Sequence, residues 1–235
     1  MIDNFSLEEC ANHWLVCGVN YLGKICDVEI DKQRIDNGKF HTLAEFETLS
    51  DRIPDAPLET AVVVALYQNK DGIHSNKIEE VRKNILLPDF KDWIMTKTSI
   101  TYQPNEKDVV NHKTYSVIVD IIGPDTYFEQ GKNLEDISEA ILGNKDINLV
   151  KNAYEWASEK LLYLCRLNNK PQVTTEWAVV LGRNVGNRFS IDCYGIVDNV
   201  RPARGIVITQ KKSAEKTINR VPDYISRRFK HLELR

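Results

Sequence analysis

Stretches with helical and with strand-like apolar spacing follow one another along this chain in no regular alternation, and that order constrains the fold more than any single motif. Strand-like stretches rich in β-branched and aromatic residues run Trp14 to Tyr21, Ala61 to Tyr67, Trp93 to Tyr102, Tyr115 to Ile122, Trp177 to Leu181 and Phe189 to Cys193. Four helices are expected among them. The first starts at Thr42-Leu-Ala-Glu45, where the threonine caps a backbone N–H and the glutamate reaches back, and it stops before Pro54. The second runs from Asn76, with Glu79 as capping partner and Ile78, Val81 and Ile85 as its buried stripe, and ends ahead of Pro88. The third starts at Leu134 behind an Asn133 cap and closes at Gly143. The fourth starts at Ile147 and carries Val150, Ala153, Tyr154, Ala157, Leu161 and Leu164 on one face for about five turns. A parallel doubly wound sheet needs strict alternation, so the expected class is α+β.

No repeat or low-complexity segment interrupts the 235 residues, and one folded unit spanning 1–210 is the default reading. Lys211 to Arg235 is a separate electrostatic object, with eight Lys or Arg against three Asp or Glu; this local +5 leaves −8 for the rest of a chain whose total is −3. A solvated terminal helix resting on the acidic body, a nucleic-acid contact and an anionic membrane surface are the three readings of that tail. The first residues carry acids where a signal peptide needs a basic start, and the longest apolar run, Ala61 to Tyr67, is too short to cross a bilayer. No membrane span and no signal peptide are expected.

Enzyme signatures were sought and do not appear. Gly182-Arg-Asn-Val-Gly186 lacks both the P-loop lysine and the dinucleotide-binding glycine spacing. The five histidines never fall at ligand spacing, and the five cysteines, Cys10, Cys17, Cys26, Cys165 and Cys193, include no C-x-x-C pair. No catalytic residue, metal site or cofactor is expected. Free thiols in a reducing compartment are the simple reading of the cysteines, with pairing among the three N-terminal ones as the alternative.

The most informative segment is Thr174 to Ile208, TTEWAVVLGRNVGNRFSIDCYGIVDNVRPARGIVI. A strand opening on T-E-W, a polar turn, a second strand, an irregular loop and a closing V-R-P-A-R-G resemble the C-terminal end of C-type-lectin-fold proteins of the formylglycine-generating-enzyme branch. Thr42 to Ser50, with Glu45 and Phe46, is similar to the first helix of that fold. The ordering looks most like the variable proteins of diversity-generating retroelements, which display a hypervariable ligand-binding face on a fixed scaffold. That resemblance implies a C-type lectin fold with several helices and a small mixed or antiparallel sheet, and a variable segment at about 174–205. It also implies a protein or other macromolecular ligand, and a cytoplasmic or virion-associated protein.

Composition points the same way. Between Arg183 and Asn199, short polar side chains mix with Arg, Tyr and Phe, which supplies adaptable hydrogen bonding beside rigid aromatic area, although an ordinary surface hairpin has the same ingredients. The expected ligand-binding surface is Arg183, Asn184, Arg188, Ser190, Asp192, Tyr194, Ile196 and Asp198. Two alternatives stay open: a thiol-dependent enzyme of the formylglycine-generating type, with Cys193 as nucleophile and Cys165 as its partner, and a nucleic-acid-binding accessory acting through Lys211, Lys212, Arg227, Arg228 and Lys230.

Overall fold

Tight turns organise the N-terminal strands. Leu22 and Gly23 both take positive φ, 50° and 80°, and connect β2 (His13–Tyr21) to β3 (Lys24–Arg34) through a two-residue loop in which Tyr21 pairs with Lys24. With β1 (Ser6–Glu9) before them and β11 (Arg204–Ile208) added on the far side, they form an antiparallel sheet of order β1-β2-β3-β11. This is the computed structural model of the chain; it describes residues 5–42, 44, 45, 48, 50–128, 133–184, 188–195 and 201–209. The basic tail, 211–235, lies outside the described residues.

A second sheet is built from β4 (Trp93–Tyr102), β5 (Asp108–Asn111), β6 (Ser116–Val119), β7 (Thr126–Tyr127), β8 (Leu161–Cys165), β9 (Thr175–Asn184) and β10 (Arg188–Gly195). Its order is β6-β5-β4-β9-β10-β8-β7, with β10 and β8 parallel and every other pair antiparallel, and it curls into a half-barrel. The fold is therefore α+β, as expected, but the sheet content is two sheets of four and seven strands rather than one small sheet.

The helices are α1 (Ala56–Asn69), α2 (Ser75–Val81), α3 (Leu87–Lys91), α4 (Leu134–Leu142) and α5 (Ile147–Ser158). Helix α1 corrects the strand expected over Ala61 to Tyr67. Val62, Val63 and Val64 favour strands locally, but α1 is packed by β2, α4 and α5, so tertiary burial overrides propensity. Its start is fixed by Asp55, whose Oδ1 accepts from Leu58 N at 2.9 Å while Oδ2 accepts from Tyr21 Oη at 2.9 Å.

The expected five-turn helix from Ile147 is half helix and half strand. Glu159 takes a left-handed φ of 59° and ends α5, so Leu161 to Cys165 continue as β8 and Leu161 is 54% exposed rather than in the core. The second helix does not stop before Pro88 either. Arg82 to Leu86 form a π turn, and Pro88 lies in the first turn of α3, where its missing N–H costs no hydrogen bond. Glu79 is no cap; both its carboxylate oxygens hold Arg82, at 2.7 and 2.8 Å. Asn133 makes no side-chain cap bond, whereas Gly143 closes α4 at φ 69° as expected. The reciprocal bonds at Thr42 are present: Thr42 Oγ1 accepts from Glu45 N at 3.2 Å, and the Glu45 carboxylate accepts from Thr42 N at 2.7 Å.

The main core lies between the helices and one face of the seven-stranded sheet. Tyr154 of α5, Phe90 of α3 and Phe189 of β10 meet there at ring separations of 4.6–5.8 Å. Against the opposite face a smaller cluster forms from Ile53, Met95, Ala178, Val180 and Ala203. Two irregular segments cover it, bonded to β4 through Lys97 N to Pro54 O (2.8 Å) and Met95 N to Pro202 O (3.1 Å). The closing V-R-P-A-R-G residues thus have structural work. Arg201 bridges His41 through both backbone bonds, and Arg204 is buried with its guanidinium on Asp89 of α3 at 2.6 and 2.7 Å.

Gly182 of β9 packs tightly against the backbone at the start of β4. A Cβ there would meet Asp92 O at 2.2 Å and Trp93 Cα at 2.8 Å, both backbone atoms that no rotamer change can move. Gly182→Ala is expected to cost about 1–3 kcal/mol by overpacking, read as a lower midpoint in urea denaturation; a midpoint equal to that of the parent chain would show that the two strands can separate freely.

Candidate ligand-binding face

Strand alternation sorts β10 into two sets. Phe189, Ile191 and Cys193 point into the main core, so Arg188, Ser190, Asp192 and Tyr194 share the opposite face. The four expected site residues of this strand are therefore brought together. Arg188, Asp192 and Tyr194 are half-buried, but Ser190 is fully buried and its hydroxyl has no hydrogen-bond partner among the described residues. That corrects its place on the expected surface: its short side chain lies in the middle of the sheet, in register with Gly182 on one side and Tyr163 on the other.

Arg183 and Asn184 are in β9, paired with Phe189 and Arg188, so the sequence from Gly182 to Asn184 is strand and not turn. Their side chains, and Ile196 and Asp198, lie outside the described residues.

Two aromatic features join this face that the sequence did not single out. The Arg188 guanidinium lies 4.4 Å from the Tyr163 ring centroid and 5.5 Å from that of Tyr127, and the two rings meet edge to face at 5.0 Å. Tyr163 was hidden because its segment reads as helix. Beside this stack a groove of about 430 Å³ opens, walled by Trp93 and Met95 of β4, Trp177 and Val180 of β9, and Asp192 and Tyr194 of β10, with Arg201 of the closing segment also lining it. The register of β10 against β9 shifts between Asp192 and Gly195, and that of β4 against β9 shifts between Met95 and Ser99; these bulges open the sheet at the groove. Alternating Trp, Met and Val spread over distant strands gives no sequence signal for a shared groove.

Asp192 is the acidic residue of this face on β10. Its Oδ1 accepts from Tyr194 N at 3.0 Å. Burial pushes its carboxyl up to about 6; the Tyr194 N–H opposes that, Asp125 adds to it, and Arg201 counters it most weakly. The Trp177 indole N–H has no hydrogen-bond partner among the described residues.

The thiols are built differently from a nucleophile. Cys165 and Cys193 are both buried and form no disulfide, and burial, followed by Asp192 and Cys165, pushes the Cys193 thiol well above its ordinary value. A nucleophilic cysteine needs the reverse. Among the described residues no group of three His, Cys, Asp or Glu side chains could hold a metal ion, and no helix is long and apolar enough to cross a membrane. No protein-family profile, curated protein or solved structure matches this chain.

Proposed function

We propose that this chain is a non-enzymatic ligand-binding protein whose recognition face is the side of the seven-stranded sheet turned away from the helices, centred on β10. The observation that carries this reading is the placement of Arg188, Asp192 and Tyr194 on one partly open face, continuous with an aromatic groove. Tyr, Trp and Arg give large contact area at low conformational cost and dominate binding hot spots.

The finer reading is a retroelement-diversified variable protein on a C-type lectin scaffold, presenting this face to a protein or other macromolecule. The Thr42–Glu45 capping box and the pairing of β11 with β3, which closes the C-terminal strand onto the N-terminal sheet, support it. A reverse transcriptase gene beside this one, with a near-identical template repeat differing only at template adenines, is the expected genomic signature; a neighbourhood without them removes the retroelement part and leaves the binding face standing.

The binding face itself is tested by separating stability from recognition. Alanine at Asp192 or Tyr194 is expected to shift stability by no more than about 0.5 kcal/mol, and alanine at Arg188 by about 0.5–1 kcal/mol, since it also loses the stack on two tyrosines. Thermal melts of the three variants check this, and losses of several kcal/mol at all three would make the face part of the core and end the assignment.

A further inference from the structure

The groove has an unusual combination of walls: aromatic surface with a half-buried carboxylate. Asp192 Oδ1 accepts from Tyr194 N–H at 3.0 Å. An ionised carboxylate in such a place is stabilised best by a positive charge brought to it. Asp125 adds negative charge near Asp192, and Arg201, which also lines the groove, adds positive charge. Trp93, Trp177 and Tyr194 line the same groove, and the electron-rich faces of aromatic rings attract a desolvated cation. Met95 and Val180, themselves buried, back the groove with apolar side chains, and the partly exposed Trp93 and Trp177 offer apolar surface to a carbon chain.

On the reading that this sheet face binds ligand, we propose that the groove selects a small organic amine, seating its alkylammonium group beside Asp192 with its carbon chain against Trp93 and Trp177. A neutral chain of the same length would bury the same apolar area and leave the carboxylate unpaired. A carboxylate-tipped chain would meet Asp192 with like charge. The preference is therefore electrostatic and should follow the ionisation of Asp192. The other titratable or charged groups around it are Asp125, Arg166, Arg201, Cys165, Cys193, Tyr102 and Tyr194; burial holds Tyr102, Tyr194 and Cys193 protonated at neutral pH.

The test uses three probes of equal length, n-hexylamine, n-hexanol and hexanoate, titrated into the full chain near neutral pH while the tryptophan indole N–H resonances are followed by NMR. Hexylamine is expected to bind at least about tenfold more tightly than either of the others, the tenfold corresponding to roughly 1.4 kcal/mol. The preference should shrink as the pH is lowered through about 6, and Asp192→Asn, which keeps an oxygen for Tyr194 N–H, should abolish it, bringing hexylamine and hexanol to equal affinity. Equal binding of amine and alcohol, or a preference that survives both in Asp192→Asn and at low pH, overturns the selection of a cation and leaves the groove as a ligand site. No resonance shift with any probe overturns the groove itself as part of the recognition face.

Discussion

Replacing Asp89 by alanine is expected to destabilise the fold by about 3–5 kcal/mol, because it leaves a buried guanidinium without its counter-charge. Asp89 is 4% exposed and accepts from Arg204 Nε and Nη2 at 2.6 and 2.7 Å and from Arg34 Nε at 2.8 Å. Arg204 is itself buried, and its Nη1 donates to the Asp31 and Lys32 carbonyls at 3.0 and 2.8 Å. The three residues come from α3, β11 and the end of β3, so the cluster clamps the four-stranded sheet to the helical layer. Urea denaturation of Asp89→Ala gives the loss directly. A double variant, Asp89→Leu with Arg204→Met, should lose clearly less than the sum of its single variants, since the cost lies in the unpaired charge and not in the absent pair. Additive losses would mean that the pair contributes as attraction and that neither charge is truly desolvated.

That cluster shows which parts of this molecule could be seen in the sequence. Arg204 stands in the V-R-P-A-R-G closure, where an exposed binding loop was as good a reading as a buried clamp; only the pairing of β11 with β3 brings it within reach of Asp89, 115 positions away. Local signals fared better. The Thr42–Glu45 box, Gly143 as a left-handed terminator and the β-rich composition of β4, β9 and β10 are properties of neighbouring residues, and the box, the terminator and the three strands are present. The failures have one physical form. Ala61 to Tyr67 is apolar on every side, and a short apolar run fits a buried strand or a buried helix equally, so its neighbours decided. Leu161 and Leu164 kept helical spacing with α5, yet Glu159 breaks the helix at a left-handed residue that any sequence rule would give to glycine or asparagine.

The binding face divides along the same line. Alternation along β10 placed Arg188, Asp192 and Tyr194 on one side, which is a strand property readable from the chain. Tyr127 and Tyr163, which hold Arg188, and Trp93, which walls the groove, join it through strand order. A parallel β10–β8 pair set between antiparallel neighbours cannot be counted off from periodicity. Ser190 marks the limit of alternation as a guide to exposure: the face a residue points to is fixed by its parity, but whether solvent reaches it depends on the height of the side chains around it.

The second large effect lies in the pH dependence of stability, through Glu59. It is 4% exposed, on α1; one carboxyl oxygen, Oε2, has no hydrogen-bond partner among the described residues, and the charges acting on it are Asp89, which disfavours ionisation, and Arg204, which favours it less strongly. Burial first, then Asp89, raise its pKa from 4.5 to about 8. A group whose folded pKa is raised contributes stability that is fully present below its unfolded pKa and is lost as pH rises towards the folded one. Glu59 should therefore cost the fold up to about 1.4 kcal/mol for each pH unit between roughly 4.5 and 8, and nothing further above that. Glu59→Gln removes the titration while nearly keeping the shape. Its stability relative to the parent chain should rise steadily across that window, by several kcal/mol in all, whatever constant offset the amide introduces. His112 has the opposite sign, because burial lowers its pKa and its contribution fades as pH falls below about 6.5. It is common to both proteins and cancels in the difference. Urea denaturation of the two proteins at half-unit intervals gives that difference curve; a flat line would show that Glu59 reaches water or a counter-charge in the folded chain and is ionised there at neutral pH.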